Sequence, residues 1–442
     1  MTIYNKFTVL EKKLTDRTLN LGVIGLGYVG LPLSLTFLRK GIKVIGFDLD
    51  QSKIDKLNKG VSYIKHIPAD ELTGFVKQGD FTATADFTRL NEPDAILICV
   101  PTPLTSSREP NLEYIKATGR DISRVMRPEQ LVVLESTTYP GTTVDVLQPI
   151  LEKSGLKAGT DFGLAFSPER EDPGNPNFGT ADIPKVIGGI DPASLKLACD
   201  LYGIAMKQVE PVSSTQAAEL TKLLENIFRS VNIALVNELK ILCLQMGIDI
   251  FEVIKAASTK PFGYMPFYPG PGLGGHCIPI DPFYLTSKAR EFDIPTKFIE
   301  LAGEVNTAMP YFVVQRVMET LNEYGKALKG ARVLILGVAY KKDIDDDRES
   351  PTYKIMGILQ DKGAEISYND PHIPKLRAGR KYDFDLSSTE LSVENLSAAD
   401  CVLVSTDHSA YDYDFILEHA RLIVDTRNVF ADKDTGKKVF MA

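Results

Sequence analysis

The run Leu21-Gly22-Val23-Ile24-Gly25-Leu26-Gly27-Tyr28-Val29-Gly30 decides the fold. Leu21 to Gly25 reads as a buried strand, and Leu31 to Lys40 reads as a helix that stops at Gly41. Between them Gly25, Gly27 and Gly30 have the spacing G-x-G-x-x-G. That spacing means a dinucleotide site only when a strand precedes it and a helix follows, because the pyrophosphate must meet bare backbone at the helix N-terminus. Both conditions hold here. Lys43 to Asp48 is a second strand, and Asp48 closes it about 20 residues on, where a carboxylate binds ribose hydroxyls and repels a 2′-phosphate. The expected cofactor is therefore NAD, with contacts at Gly25, Leu26, Gly27, Tyr28, Val29, Gly30, Asp48 and Lys53.

Further apolar strands are expected at Ala95–Val100, Leu131–Glu135 and Phe162–Phe166, alternating with helical patterns. Such alternation builds a parallel sheet covered on both faces. Ligands gather at the carboxyl ends of those strands. Pro101, Thr102, Ser136 and Thr137 are therefore candidates for the nicotinamide side, and the Ser167-Pro168-Glu169-Arg170 turn places Glu169 to poise a water. From about Ser213 to Ser258 apolar residues recur at helical spacing on more than one face, the mark of deep core or a subunit interface. A second helical region runs from Ile299 to Tyr324. A new strand, Ala331–Gly337, then opens a second doubly wound unit with strands at Glu365–Tyr368, Cys401–Ser405 and Leu422–Val424. The expected architecture is α/β: two Rossmann-like parallel-sheet domains, 1–212 and 326–442, joined by a central helical domain, 213–325.

A chain of 442 residues with 44% hydrophobic side chains can build about three such cores. Its formal charge of -8 argues against broad nucleic-acid binding, which needs a basic face. Five cysteines without a C-x-x-C pair indicate neither a zinc site nor a disulfide framework and fit a reducing cytoplasmic setting. The first twenty residues lack the apolar core of a signal peptide, and no apolar run is long enough to span a bilayer. No membrane partner is expected.

One cysteine stands apart. Cys277 lies in Pro269-Gly270-Pro271-Gly272-Leu273-Gly274-Gly275-His276-Cys277-Ile278-Pro279-Ile280-Asp281. Glycines and prolines fix the shape of that loop and leave backbone amides bare. A thiol presented by such a loop, together with a hydride acceptor, suggests an oxidation through a thioester. Cys99, Cys199, Cys243 and Cys401, in apolar strand or helix contexts, read as packed side chains. Lys222 and Asn226 share one face of the central helix. A lysine among so many apolar neighbours is either at a solvent edge or held there to meet charge on a substrate oxygen. Arg229 follows at compatible spacing. Lys341 and Arg348 are either phosphate contacts or members of a solvated charge cluster with Asp345–Asp347.

From Gly22 to about Val429 the chain resembles the nucleotide-sugar 6-dehydrogenases. The likeness rests on Gly-Leu-Gly-Tyr-Val-Gly-Leu-Pro-Leu at 25–33, Pro-Thr-Pro at 101–103, Glu-Ser-Thr at 135–137, Ser-Pro-Glu at 167–169 and Gly-Gly-His-Cys-Ile-Pro-Ile-Asp at 274–281. His276 and Ile280 stand where the glucose-type enzymes carry Ser and Lys, and Pro173 stands near their second acid. The pattern is similar to the branch acting on N-acetylated amino sugars, and the stretch 260–272 looks most like UDP-N-acetylglucosamine 6-dehydrogenases of surface-polysaccharide pathways. The resemblance implies a four-electron oxidation of a C6 hydroxyl to a uronate. Cys277 is the implied nucleophile, Lys222 and Asn226 hold the oxyanion, Asp281 or Glu169 is the base, and Thr137 positions water. It implies substrate contacts at Glu169, Arg170, Lys222, Asn226, Arg229, Phe267, Tyr268, Pro269, Gly270, Gly272, Gly274, Gly275, Lys341 and Arg427, a cofactor contact at Arg348, and a homodimer or larger homo-oligomer. The alternatives are the N-acetylmannosamine or N-acetylgalactosamine epimers, behind them UDP-glucose, and, further away, a one-step hydroxyacid dehydrogenase or a non-catalytic NAD-binding regulator.

Overall fold

The computed structural model describes residues 7–64, 67, 69–105, 109–170, 179–275, 278–376, 382 and 384–442. They form two compact units, one of Met1–Glu225 with Phe283–Asp293 and one of Asn226–Pro282 with Ile294–Ala442. In the first unit eight strands, β1 (Asn20–Ile24), β2 (Lys43–Phe47), β3 (Phe81–Thr84), β4 (Ala95–Ile98), β5 (Leu131–Leu134), β6 (Gly163–Phe166), β7 (Lys185–Gly189) and β8 (Val209–Val212), build one sheet. Their order is β3-β2-β1-β4-β5-β6-β7-β8. The order reverses between β1 and β4, the switch point at which open parallel sheets bind nucleotides. β4, β5 and β6 are buried throughout. Leu97 and Val133 pack on one face with Leu21 and Val23; Ile96, Ile98, Val132 and Leu134 pack on the other with Ile24 and Phe166. That two-sided burial is why these strands read as continuous apolar runs. The pairing of β6 with β7 is antiparallel, Ala165 facing Gly189, so β7 and β8 run against the remaining strands.

The second unit holds a sheet of β9 (Arg332–Leu336), β10 (Glu365–Asn369), β11 (Cys401–Val404), β12 (Ile423–Asp425) and β13 (Val439–Met441), in the order β10-β9-β11-β12-β13 with every pairing parallel. The fold is thus α/β, with one sheet parallel from β3 to β6 and antiparallel at β7 and β8, a second sheet wholly parallel, and a helical region between them in sequence.

The helical pattern expected from Ser213 to Ser258 is two helices. The central helix, Thr215–Met246, ends at Gly247, whose φ of +69° is left-handed backbone that glycine adopts without a Cβ penalty. Asp249 then caps a new helix, Ile250–Ala257, by accepting the Phe251 N–H at 2.8 Å. In the second unit the central helix is tied to the sheet by Lys240, whose ammonium donates to Ala442 and Thr426 carbonyl oxygens. Burial pushes that lysine down to about 7. Among the described residues no helix is long and apolar enough to cross a membrane.

Candidate functional site

The glycine turn after β1 divides its labour among three positions. Gly25 has φ +92°, and a Cβ there would stand 2.5 Å from Cys99 O. A Cβ on Gly30 would stand 1.9 Å from Gly25 O, so a glycine is required where the following helix, Gly30–Leu38, meets the strand. A Cβ on Gly27 would meet nothing within 4 Å. The turn is closed around its first and third glycines and open at the second, the shape that lets a pyrophosphate approach the backbone. The residues present therefore fit a dinucleotide.

Asp48, just past β2, accepts the Leu26 and Asp50 N–H groups, each at 3.0 Å, and pairs with Lys53 at 3.4 Å. The carboxylate is thereby fixed beside the turn where a ribose would lie. Sequence reasoning missed Tyr63, whose hydroxyl donates to Leu26 O and whose ring has the Lys53 ammonium 5.8 Å from its centroid. Burial and the Asp48 charge push the Tyr63 phenol up. The carboxyl ends of β4 and β5 are tied together: Thr102 Oγ1 donates to Thr137 O at 2.7 Å, and Ser136 Oγ to Val100 O at 2.8 Å. Ser136 and Thr102 are buried, while Pro101 is exposed. The Ser136 hydroxyl thus stitches two strand ends.

In the same unit Lys222 Nζ lies 3.7 Å from Glu169 Oε2, and both side chains are largely buried. Lys222 is therefore no solvent-edge lysine, and Glu169 is no surface ion-pair partner. Arg170 forms an ion pair with Glu225 at 2.6 Å and donates to Pro184 O at 2.8 Å. Glu219, one turn before Lys222, was not singled out by the sequence. Its carboxylate accepts the Gly141 and Thr143 N–H groups at 2.6 and 2.9 Å and the Thr143 hydroxyl at 2.7 Å. Burial pushes it up to about 7. Those bonds fix the central helix against the chain that follows Thr137.

In the second unit Asn226 is fully buried and donates to Asp281 Oδ2 at 2.5 Å. Arg229 is exposed, and its guanidinium donates to Asn226 Oδ1. Asn226 thus bridges Arg229 and the carboxylate that ends the glycine loop. The loop itself is clamped. Phe267 packs edge-on against Phe228 with centroids 5.6 Å apart, and Tyr268 stacks on Phe251. Pro269 is buried, and Gly270 N–H donates to Asn237 Oδ1 at 2.9 Å. A Cβ on Gly270 would lie 2.7 Å from Arg427 Nη1. Gly272 has φ +138° and faces Pro351. Cβ atoms on Gly274 and Gly275 would press on Tyr340, at 2.6 and 3.0 Å. The glycines therefore bring Arg427 and the Tyr340–Lys341 turn against the loop, a convergence of residues up to 157 positions apart that the spacing alone does not reveal. Arg427 donates from Nε to Ser405 O at 2.8 Å. The turn is set from behind by Asp370 and His408: Asp370 Oδ2 accepts the Val338 and Ala339 N–H groups, and His408 takes the Asp343 N–H on Nδ1 at 3.0 Å. Arg348 is held bidentately by Asp346, so its charge is already balanced locally. Cys277, His276 and Pro173 lie outside the described residues.

Three profiles of one family cover the chain in order. The NAD-binding domain of the UDP-glucose/GDP-mannose dehydrogenase family matches residues 19–206, its central domain 216–308 and its UDP-binding domain 334–432. The chain is 34% identical over 397 residues to a UDP-N-acetyl-D-glucosamine 6-dehydrogenase of Pseudomonas aeruginosa, covering 89% of this chain and 92% of that protein. It is 34% identical over 427 residues to an NDP-N-acetyl-D-galactosaminuronic acid dehydrogenase of Ralstonia nicotianae, covering 93% and 96%. The solved structure of a UDP-D-ManNAc dehydrogenase from Pyrococcus horikoshii superposes with a TM-score of 0.86 at 32% identity, covering 96% of this chain and 98% of that one. Fold and site define an NAD-dependent oxidoreductase that acts on a nucleotide sugar. The chain belongs to the UDP-glucose/GDP-mannose dehydrogenase family.

Proposed function

We propose that the protein oxidises C6 of a UDP-N-acetylhexosamine, UDP-N-acetyl-D-glucosamine above its epimers, to the uronate in two steps, as a precursor for a surface polysaccharide. The observation that carries this reading is the buried polar row on the central helix, Lys222 beside Glu169 and Asn226 bonded to Asp281, with Asp281 four residues after Cys277. Charged groups are costly to bury without a task, and charge developing on a substrate oxygen supplies one. Bound at the open glycine turn, NAD supplies the hydride acceptor for both steps.

The chain's own residues do the rest. Lys222 and Asn226 hold the C6 oxygen as it gains negative charge. Cys277 adds to the aldehyde carbon, and the thiohemiacetal becomes a thioester when the second hydride leaves. Asp281 or Glu169 takes the proton from the attacking water, positioned by Thr137, and hydrolysis returns the thiol and the carboxylate. Phe267–Gly275, Lys341 and Arg427 grip the nucleotide diphosphate. A panel of UDP-glucose, UDP-N-acetylglucosamine, UDP-N-acetylmannosamine and UDP-N-acetylgalactosamine is assayed for NADH release. Two NADH per acid formed, fastest with the glucosamine epimer, is the expected result. One NADH per product would instead mean a single-step hydroxyacid dehydrogenase. The names of the relatives favour the mannosamine or galactosamine epimer as the second reading.

The protein is further proposed to be a homodimer through the central helix. Phe228, Leu235, Leu242 and Met246 recur on one face of it and are each at least 45% exposed. Exposed large apolar side chains in one row mark an interface. Leu235→Glu with Leu242→Glu should convert the dimer to a monomer by light scattering; a wild type that is itself monomeric at micromolar concentration ends this proposal.

A further inference from the structure

Behind Glu169 lies a second buried pair of opposite charges that no step above uses. Glu135 directly follows β5 and Lys185 opens β7, and their side chains are 0% and 10% exposed. Lys185 Nζ is 2.5 Å from Glu135 Oε2 and donates to Pro168 O at 3.2 Å. The Tyr202 hydroxyl donates to the other Glu135 oxygen. Pro168 immediately precedes Glu169, and Glu135 precedes Ser136-Thr137. One ammonium thus ties together the two strand ends that carry the candidate base and the candidate water-positioning threonine. Glu135, Lys185, Glu169 and Val29 of the glycine turn also line one small cavity. A buried ion pair contributes little net stability compared with an apolar pair of the same shape, so stability alone does not account for it.

Resting on the assignment of Glu169 as a general base, we propose that the Glu135–Lys185 pair is a positioning device for Glu169. Lys185 anchors the Pro168–Glu169 backbone and cancels a carboxylate that would otherwise stand beside the base. Among the described residues, the charged and titratable groups set around Glu169 include two sets of side chains. Lys222 approaches from the central helix at 3.7 Å. Arg170, its neighbour, is paired with Glu225. The remaining set is Glu135, Lys185 and Tyr202. Burial first, and the Glu169 charge as a smaller contribution, push Glu135 up, so the two carboxylates sense each other.

The pair should act on the reaction through charge, and the two single variants should therefore affect the pH profile differently. In Lys185→Met the unpaired, fully buried Glu135 takes up a proton, so the acid limb of kcat against pH stays in its wild-type place while the plateau falls with the lost anchor. In Glu135→Gln the uncompensated Lys185 favours the ionised base and moves the limb down by about one unit or more. The neutral double variant, Glu135→Gln with Lys185→Met, returns the limb to its wild-type place. Its plateau kcat stays lower by about tenfold, the equivalent of one lost hydrogen bond to Pro168 O. The assay uses the full chain, NAD and whichever UDP-N-acetylhexosamine the panel shows to be turned over. A limb that moves in Lys185→Met, or that does not move down in Glu135→Gln, overturns the proposal. Should the singles not fold, the double variant and Lys185→Arg carry the test. An unmoved limb in both with a lowered plateau only in the double is expected, and a moved limb in either or a full plateau in the double overturns it. Glu169→Gln is the control for the underlying assignment. A limb that persists in it means that another group is the base, a result that none of the pair variants mimics.

Discussion

Cys277→Ser is expected to keep NAD binding and to stop uronate formation, with the four-electron rate falling by on the order of 10³-fold or more, the scale on which removal of a covalent nucleophile is felt. A serine hydroxyl is poorly ionised at neutral pH, whereas a thiol is partly thiolate and strongly nucleophilic. The first oxidation needs no covalent bond to the protein, so the variant should still release a trace of aldehyde-level product. The decisive measurement is mass spectrometry of the wild-type protein quenched during turnover. An acyl adduct on Cys277 is expected. An unchanged rate of acid formation in Cys277→Ser would refute the thioester route, and with it the feature that separates this reaction from a single-step dehydrogenase.

Lys222→Ala should lower kcat by about 10²–10³-fold with little change in KM for the nucleotide sugar, the loss typical of removing one oxyanion donor. The reason is geometric. Lys222 is 4% exposed on the central helix, so its ammonium is desolvated and needs no reorganisation when negative charge appears on C6 oxygen. Its partner Glu169, 3.7 Å away, keeps the site from carrying an unbalanced cation between turnovers. Lys222→Arg restores charge without the compact ammonium and should recover only part of the rate. A Lys222→Ala protein that raises KM while leaving kcat intact would mean that the lysine binds the ground state and would remove it from the catalytic step.

The sequence announced β1, β4, β5, β6, β9, β11 and β12 because each is a short, largely buried apolar run, where local hydrophobicity and burial coincide; β10, also expected, is only part-buried at the sheet edge. It was silent on β7, whose first residue is a buried lysine, and on β8, Val209–Val212, which contains a glutamate and a proline and lies half-exposed at the sheet edge. The break in the central helix was legible only in part. Gly247 is visible in the sequence, but an isolated glycine inside a helical pattern is tolerated as often as it terminates one.

The candidate site divides in the same way. Spacing alone singled out the glycine turn, Asp48, the Lys222–Asn226 face and the cysteine loop as candidates, because each is local and its proposed chemistry follows from residues within a turn or two of one another. Glu219 on the Gly141 and Thr143 amides, Lys185 on Glu135 and Pro168, and Arg427 against Gly270 join residues 17 to 157 positions apart, and nothing in either local segment marks its partner. Buried charge is stable only when an opposite charge or a set of donors meets it, and which group does so is fixed by how strands and helices pack, not by their order along the chain. Sequence thus determined the fold class and the cofactor and singled out candidate residues for the chemistry. Tertiary structure alone decided which charges balance which, because that balance exists only once distant side chains share one solvent-free space.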